Sequence, residues 1–300
     1  MHRMFARASS AAGVLSALAA ATLWGANLAL TRLGVVGDRG LTPADLALLR
    51  FLLPAVALAP ALLRLRLPGP AIMAGLLMGG VPFVMLAAAG LARVNAAEAG
   101  ALLPGAFPVC VALLGSLLGC ERIGPSRAAG LALIVASTLL LVGPGRVAGT
   151  AVGGHVLLFA AALLSAAQAW ALRHAGLPAP QAIALVSAGS TLGFLPLHQL
   201  ACASRLAEVQ ASSVALHALL QGGLAGLAGP LLFAVAVHRL GAGRAASFAG
   251  LTPIAAAAFG ALLLGEAPDG ATLLAGIGTA AGVFLANRPA AYVAASRARA

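Results

Sequence analysis

The chain has 300 residues, 61% of them apolar and 8% charged, whereas about 25% of a soluble domain is charged. Apolar runs of about 20 residues recur along its whole length, which excludes a water-soluble globule and indicates a polytopic membrane protein. The formal charge of +11 comes from 18 arginines against 7 acids; they stand singly between apolar runs, so they read as topology signals and no nucleic-acid partner is expected.

The first segment imitates a secretory signal, with His2, Arg3 and Arg7 ahead of an apolar stretch and small residues at Ala19, Ala20 and Ala21. The apolar run continues through Leu23, Trp24, Leu28 and Leu30. It is therefore too long for a signal core of about 7 to 15 residues and is predicted to be the first membrane helix. Breaking the rest of the chain at charges and at proline-glycine clusters predicts ten spans: 13–34, 43–63, 71–91, 96–118, 127–143, 153–172, 181–200, 215–237, 244–264 and 270–287. All are expected to be helices, because backbone polar groups in lipid must be satisfied within the segment. With ten spans the termini share a side; twelve arginines then lie on that side and five opposite, which favours cytoplasmic termini.

In the first span Trp24 and Asn27 are three residues apart and share a face. Trp24 either closes a cavity or packs, and Asn27 either lines the cavity or bonds a neighbouring helix. Arg50 sits about 10 Å into the second span, where a charge costs about 2.5 to 3.5 kcal/mol. It is expected to bind an anionic group of a ligand or to pair with Glu98. Asn95 and Glu98 also have the spacing of a helix cap, and Glu98 is the one acid placed within a span where it could handle protons. Pro104 and Pro108 are predicted to interrupt the fourth span and Pro253 the ninth. Each frees a carbonyl one turn earlier, so Phe107, Pro108, Thr252 and Pro253 would line a midplane site, or the kinks would only shape the bundle. Glu121 and Glu266 end equivalent helices and are expected to accept hydrogen bonds from the start of the next helix. Gln168 matches Asn27, while Trp170 is expected to face lipid. His155, His198 and His217 suit no zinc site and read as interfacial. Gly75 with Gly79, Gly115 with Gly119 and Gly222 with Gly226 are four apart, as close helix packing requires. Cys110, Cys120 and Cys202 read as packing residues.

The halves repeat. Residues 102–121 (LLPGAFPVCVALLGSLLGCE) align with 247–266 (SFAGLTPIAAAAFGALLLGE) at an offset of 145, pairing Pro108 with Pro253, Gly115 with Gly260 and Glu121 with Glu266. Asn27 and Arg32 correspond to Gln168 and Arg173. An odd number of spans per copy inverts the second copy, giving two five-helix repeats, 13–143 and 153–287. The swap of arginine from the loop after Glu121 to none in the loop after Glu266 agrees.

The opening ATLWGANLALTRL, the order of Pro43 and Arg50, and the duplicated proline-glutamate pairs resemble the EamA-type branch of the drug/metabolite transporter superfamily. The resemblance covers about residues 13 to 287 and implies a ten-helix fold, cytoplasmic termini and secondary transport, often export, of small metabolites. Ser165 replaces Trp24 and Ser187 replaces Arg50 in the second copy, so a site on either is one-sided. The arginine-only basic set and alanine-rich helices point to a GC-rich bacterial genome and hence the inner membrane. No cofactor is expected, since Walker, GxSxG and HExxH motifs are missing. An alternative reading is a membrane enzyme acting on a lipid or isoprenoid, although seven scattered acids do not supply its usual cluster. The bilayer and a small-molecule cargo are the expected partners, with a homodimer left open.

Overall fold

The computed structural model describes residues 2–36, 40–118, 123–142 and 150–287, with side chains described for these except 2–10 and 150. Among the described residues every regular element is helical. Cys120, Glu121, Gly119 and several of the arginines counted for topology lie outside them.

Helix α1 (His2–Val35) is continuous, and its Ala11–Val35 portion is long and apolar enough to cross a membrane. The second predicted span is instead divided into α2 (Pro43–Ala57) and α3 (Ala59–Leu62), with the break at Leu58. Pro54 and Pro60 flank that break, and each lacks the amide hydrogen an unbroken helix would use. The third span is two helices, α4 (Pro70–Met78) and α5 (Val81–Leu91), separated at Gly79 and Gly80. Next come α6 (Ala96–Leu117), α7 (Pro125–Val142), α8 (Thr150–Ala175) and α9 (Ala179–Ala201). The eighth span begins as α10 (Ala211–His217), widens into a π-helix over Ala218–Ala228, and resumes as α11 (Gly229–Leu240). The ninth joins α12 (Ala242–Phe248) to α13 (Thr252–Leu264) through a 3-10 turn at Ala249–Leu251, and α14 (Gly270–Ala286) ends the bundle. Eight helical segments meet the length and hydropathy of a crossing, and α14 is a shorter apolar helix.

The pattern of packing follows the sequence repeat. Helix α1 lies on α11 and α13, and its counterpart α8 lies on α4, α5 and α6. Three further major contacts join counterparts directly, α2 on α9, α6 on α13 and α7 on α14, and α2 also packs on the π-helix. Small residues set several of these distances. Gly25 faces Thr252 and Ala255, Gly75 faces Ala171, and Gly130 faces the backbone of Gly282 and Ala286, so backbones meet where a larger side chain would hold them apart.

Of the two expected interruptions, the one in the ninth span forms, at the 3-10 turn just ahead of Thr252 and Pro253, and the one in the fourth is corrected. Helix α6 runs through Pro104 and Pro108 unbroken, because the turns on either side hold the helix while only single amide donors are lost. The matched breaks fall in spans three and eight, at Gly79–Gly80 followed by Pro82, and at the π-helix followed by Pro230.

Candidate functional site

Three polar systems cross between the halves at one end of the bundle, where α1 ends and α2, α6 and α8 begin. The most buried is centred on Asp45, in the first turn of α2. Thr42 caps that helix, receiving a hydrogen bond from the Asp45 amide at 3.1 Å. One carboxylate oxygen of Asp45 accepts from the backbone and hydroxyl of Thr42, at 3.0 and 2.9 Å, and from the Arg205 amide at 3.0 Å. The other accepts from Ser204 at 2.7 Å and meets His198 Nε2 at 2.9 Å. Asp45 and His198 are fully enclosed. A buried carboxylate is tolerated when hydrogen bonds replace its lost water, and five surround this one.

The second system joins Glu98 of α6 to His155 of α8, with Oε2 and Nε2 3.1 Å apart. Asn95 caps α6 by accepting from the Glu98 amide at 2.7 Å and donates its own amide to Glu98 Oε1 at 2.5 Å. His155 and His198 are buried partners of acids, and each keeps a buried Nδ1 without a partner. In the third, Gly265 takes a left-handed φ of +68° that ends α13 and turns Glu266 back into the bundle. Arg32 donates to Glu266 and, at 2.6 Å, to the Leu91 carbonyl, while Glu266 Oε2 accepts from the Ala96 amide at 3.0 Å. Glu266 thus serves the first half's α6. The expected bond to the next helix is corrected, because Asp269 already caps α14.

Deeper in the bundle a polar string links α1, the π-helix and α2. Gln221, buried in the π-helix, donates Nε2 to Thr31 at 2.9 Å and accepts from Arg50 Nη1 at 3.4 Å. The π-helix reaches α2 because Gly222 and Gly226 carry no side chain: a β-carbon there would lie 2.8 Å from the Leu49 carbonyl and 2.6 Å from that of Arg50. The expected Arg50–Glu98 pair does not form, since Glu98 is engaged by Asn95 and His155. Among the described residues no carboxylate reaches Arg50.

Other sequence-selected residues divide among several places. Trp24, Asn27 and Thr31 lie along one face of α1. Trp24 stacks on Phe233 at 5.1 Å and approaches Gly229, just beyond the π-helix, and the Asn27 amide oxygen is buried without a partner. Gln168 rests on Gly79 at the break between α4 and α5, so Trp24 and Gln168, each on the first helix of its half, address the broken helix of the other half. Thr252 and Pro253 are buried where α13 meets Gly25 and Gly100. Phe107 packs beside Cys110, Ala162 and Ala166 between α6 and α8, and Pro108 is half-buried on the same helix. Trp170 is corrected from a lipid-facing residue: it packs on the core containing Leu76, Leu185 and Phe194 and stacks on His174 at 4.3 Å. His217 is buried against Gly34 and lines a 260 Å³ hollow with Leu41 and Val209. Cys110 is buried and Cys202 half-buried, both as free thiols.

Sequence reasoning missed Asp45 and Gln221. Thr42–Pro43–Ala44–Asp45 does carry a capping-box signal with proline in the first turn, which marks Asp45 as structured although it cannot reveal His198.

The model of the EamA-like transporter family matches the chain twice, at residues 11–143 and 152–288. No curated protein matches. Eighteen solved chains do, among them a crystal structure described only as that of a protein, at 22% identity and a TM-score of 0.63, covering 98% of this chain and 99% of that one. That likeness concerns the fold.

Proposed function

We propose, from the premise that the chain belongs to the EamA-like transporter family, that it is a secondary transporter exporting small metabolites across the bacterial inner membrane by alternating access. The family is one of transporters, which points away from the enzymatic alternative. One observation carries the reading: α1 packs on the third and fourth spans of the second half, and α8 packs on the third and fourth spans of the first. Such an exchange of equivalent contacts gives two nearly degenerate arrangements, one facing each side, when the repeats 13–143 and 153–287 are inverted. Both termini are then cytoplasmic, and the three cross-half polar systems close the periplasmic end.

The cargo would travel along the face of α1 that presents Trp24 and Asn27, past Arg50, with Gln168 and the matched helix breaks on the opposite half. Phe107, Pro108, Thr252 and Pro253 would flank the path where α6 crosses α13, and Glu98 would act with the closing contacts at its outer end. The drive is the cargo's own gradient or proton exchange.

The test is counterflow. Proteoliposomes preloaded with unlabelled metabolite should transiently accumulate the labelled form from outside, for the solutes that relieve toxicity in expressing cells. Turnover of a lipid without exchange of any solute would overturn transport. Reporter fusions after Glu121 and Glu266 should report opposite compartments; a shared compartment would overturn the inversion.

A further inference from the structure

Every described acid except Glu208, which is exposed in the loop between α9 and α10, has a protein partner or cap, and none of the five is Arg50's. Arg50 is a permanently charged guanidinium with five N–H donors in a rigid planar fork. It occupies the middle of α2 between the buried Leu49 and Phe51, itself half-buried. Among the described residues one hydrogen bond engages it, the 3.4 Å contact with Gln221 Oε1, which is long for a charge-assisted bond. An arginine whose only purpose was to fill an apolar helix would either reach water or find an acid.

The surroundings hold the fork in place. Gln221 is itself fixed by Thr31, so its oxygen has one orientation, and the close approach of Gly226 to the Arg50 carbonyl sets the backbone beneath the side chain. The π-helix that carries Gln221 is a geometry often used where a side chain must be aimed at a ligand. We infer that Arg50, held by Gln221 and Thr31, is an anion-binding subsite, and that the transported molecule is a small organic anion presenting a carboxylate or phosphate to the guanidinium. As a subsite on the cargo path this rests on the transport reading; as a binding site it can be tested without transport.

The experiment uses the full chain in phosphatidylcholine nanodiscs and follows its melting midpoint with benzoate, phenyl phosphate or neutral benzamide at matched ionic strength. Both anions should raise the midpoint saturably and benzamide should not. Arg50→Gln should weaken the apparent affinity for the anions by about tenfold or more, as expected for losing a charge-assisted bond. Arg50→Lys should retain part of the shift, and Gln221→Leu should lose part of it with the charge intact. No anion-specific shift in the native chain, or an undiminished shift in folded Arg50→Gln, would overturn the proposal. If Arg50→Gln does not fold, the graded losses in Arg50→Lys and Gln221→Leu decide, and unchanged affinity in both would overturn it. Phosphatidylglycerol in the disc provides the other arm. If it leaves the shift intact, the anion comes from solution; if it abolishes the shift, the site holds a lipid headgroup and the cargo assignment falls. Should counterflow fail while the anion shift persists, transport is overturned and the site is not.

Discussion

Asp45 illustrates how a single residue in this bundle can depend on the whole. Its carboxylate holds Thr42, Ser204, the Arg205 amide and His198, a set drawn from the first turn of α2 and from the end of α9 and the loop beyond it. Removing one member of a buried, hydrogen-bonded pair leaves the other members desolvated, so Asp45→Ala should destabilise the protein by about 3–5 kcal/mol. Asp45→Asn, which keeps one acceptor oxygen and the side chain's shape while turning the other oxygen into an amide donor, should cost less. Thermal melts in detergent will rank the two, and equal melting midpoints would show that the carboxylate is not what joins the elements. The sequence disclosed such residues unevenly. Arg50 stood out because charge in an apolar span is expensive, and the Asn95–Glu98 spacing is local enough to read directly. The partners of Asp45 and Glu98 lie 153 and 57 residues away, and no local pattern specifies a histidine at that distance. Gln221 has no such mark, because an amide in a glycine-rich apolar run has no distinguishing period; its importance comes from Thr31 and Arg50 meeting there.

At the scale of the element, the π-helix and α2 are bound by what two glycines lack. A methyl group on Gly222 would sit 2.8 Å from the Leu49 carbonyl and 2.9 Å from the Leu53 β-carbon, neither of which can retreat without moving α2. Gly222→Ala should therefore cost about 1–3 kcal/mol through overpacking and loosen the Gln221–Arg50 contact. Gly193, in α9, supplies the control, since a methyl group there would meet no atom within 4 Å. Gly193→Ala should stabilise its helix by up to about 1 kcal/mol through backbone entropy alone. Melting midpoints moving in opposite directions would confirm the contrast; Gly222→Ala melting at or above the native chain would refute the close-contact explanation. Hydropathy made the crossing helices legible because lipid demands long apolar runs. It did not locate their irregular segments. Pro104 and Pro108 suggested a break and α6 absorbs them, whereas Gly79–Gly80 and the π-helix break or widen without a strong mark, since the hydrogen-bond register of a helix depends on which neighbour packs against it.

Across the whole molecule, the three polar systems that join the halves lie at the same end, so the alternating access proposed above requires them to separate once per cycle. The contact of the loop before α6 with the start of α8 offers a way to prevent that. A β-carbon on Gly154 would lie 2.9 Å from the β-carbon of Arg93. This is closer than the roughly 3.5–4.5 Å of a disulfide and can be met by a small outward shift of the exposed Arg93 loop. In a chain with its native cysteines replaced, the Arg93→Cys and Gly154→Cys pair should cross-link under oxidation. Counterflow of the solute identified above should fall to the protein-free background and return on reduction. Each single variant should transport equally under oxidising and reducing conditions, which separates the cross-link from the substitutions. Undiminished counterflow in a fully cross-linked sample would mean that this end of α6 and α8 moves as one body, and the opening would then have to run between α2 and α9, across Asp45 and His198.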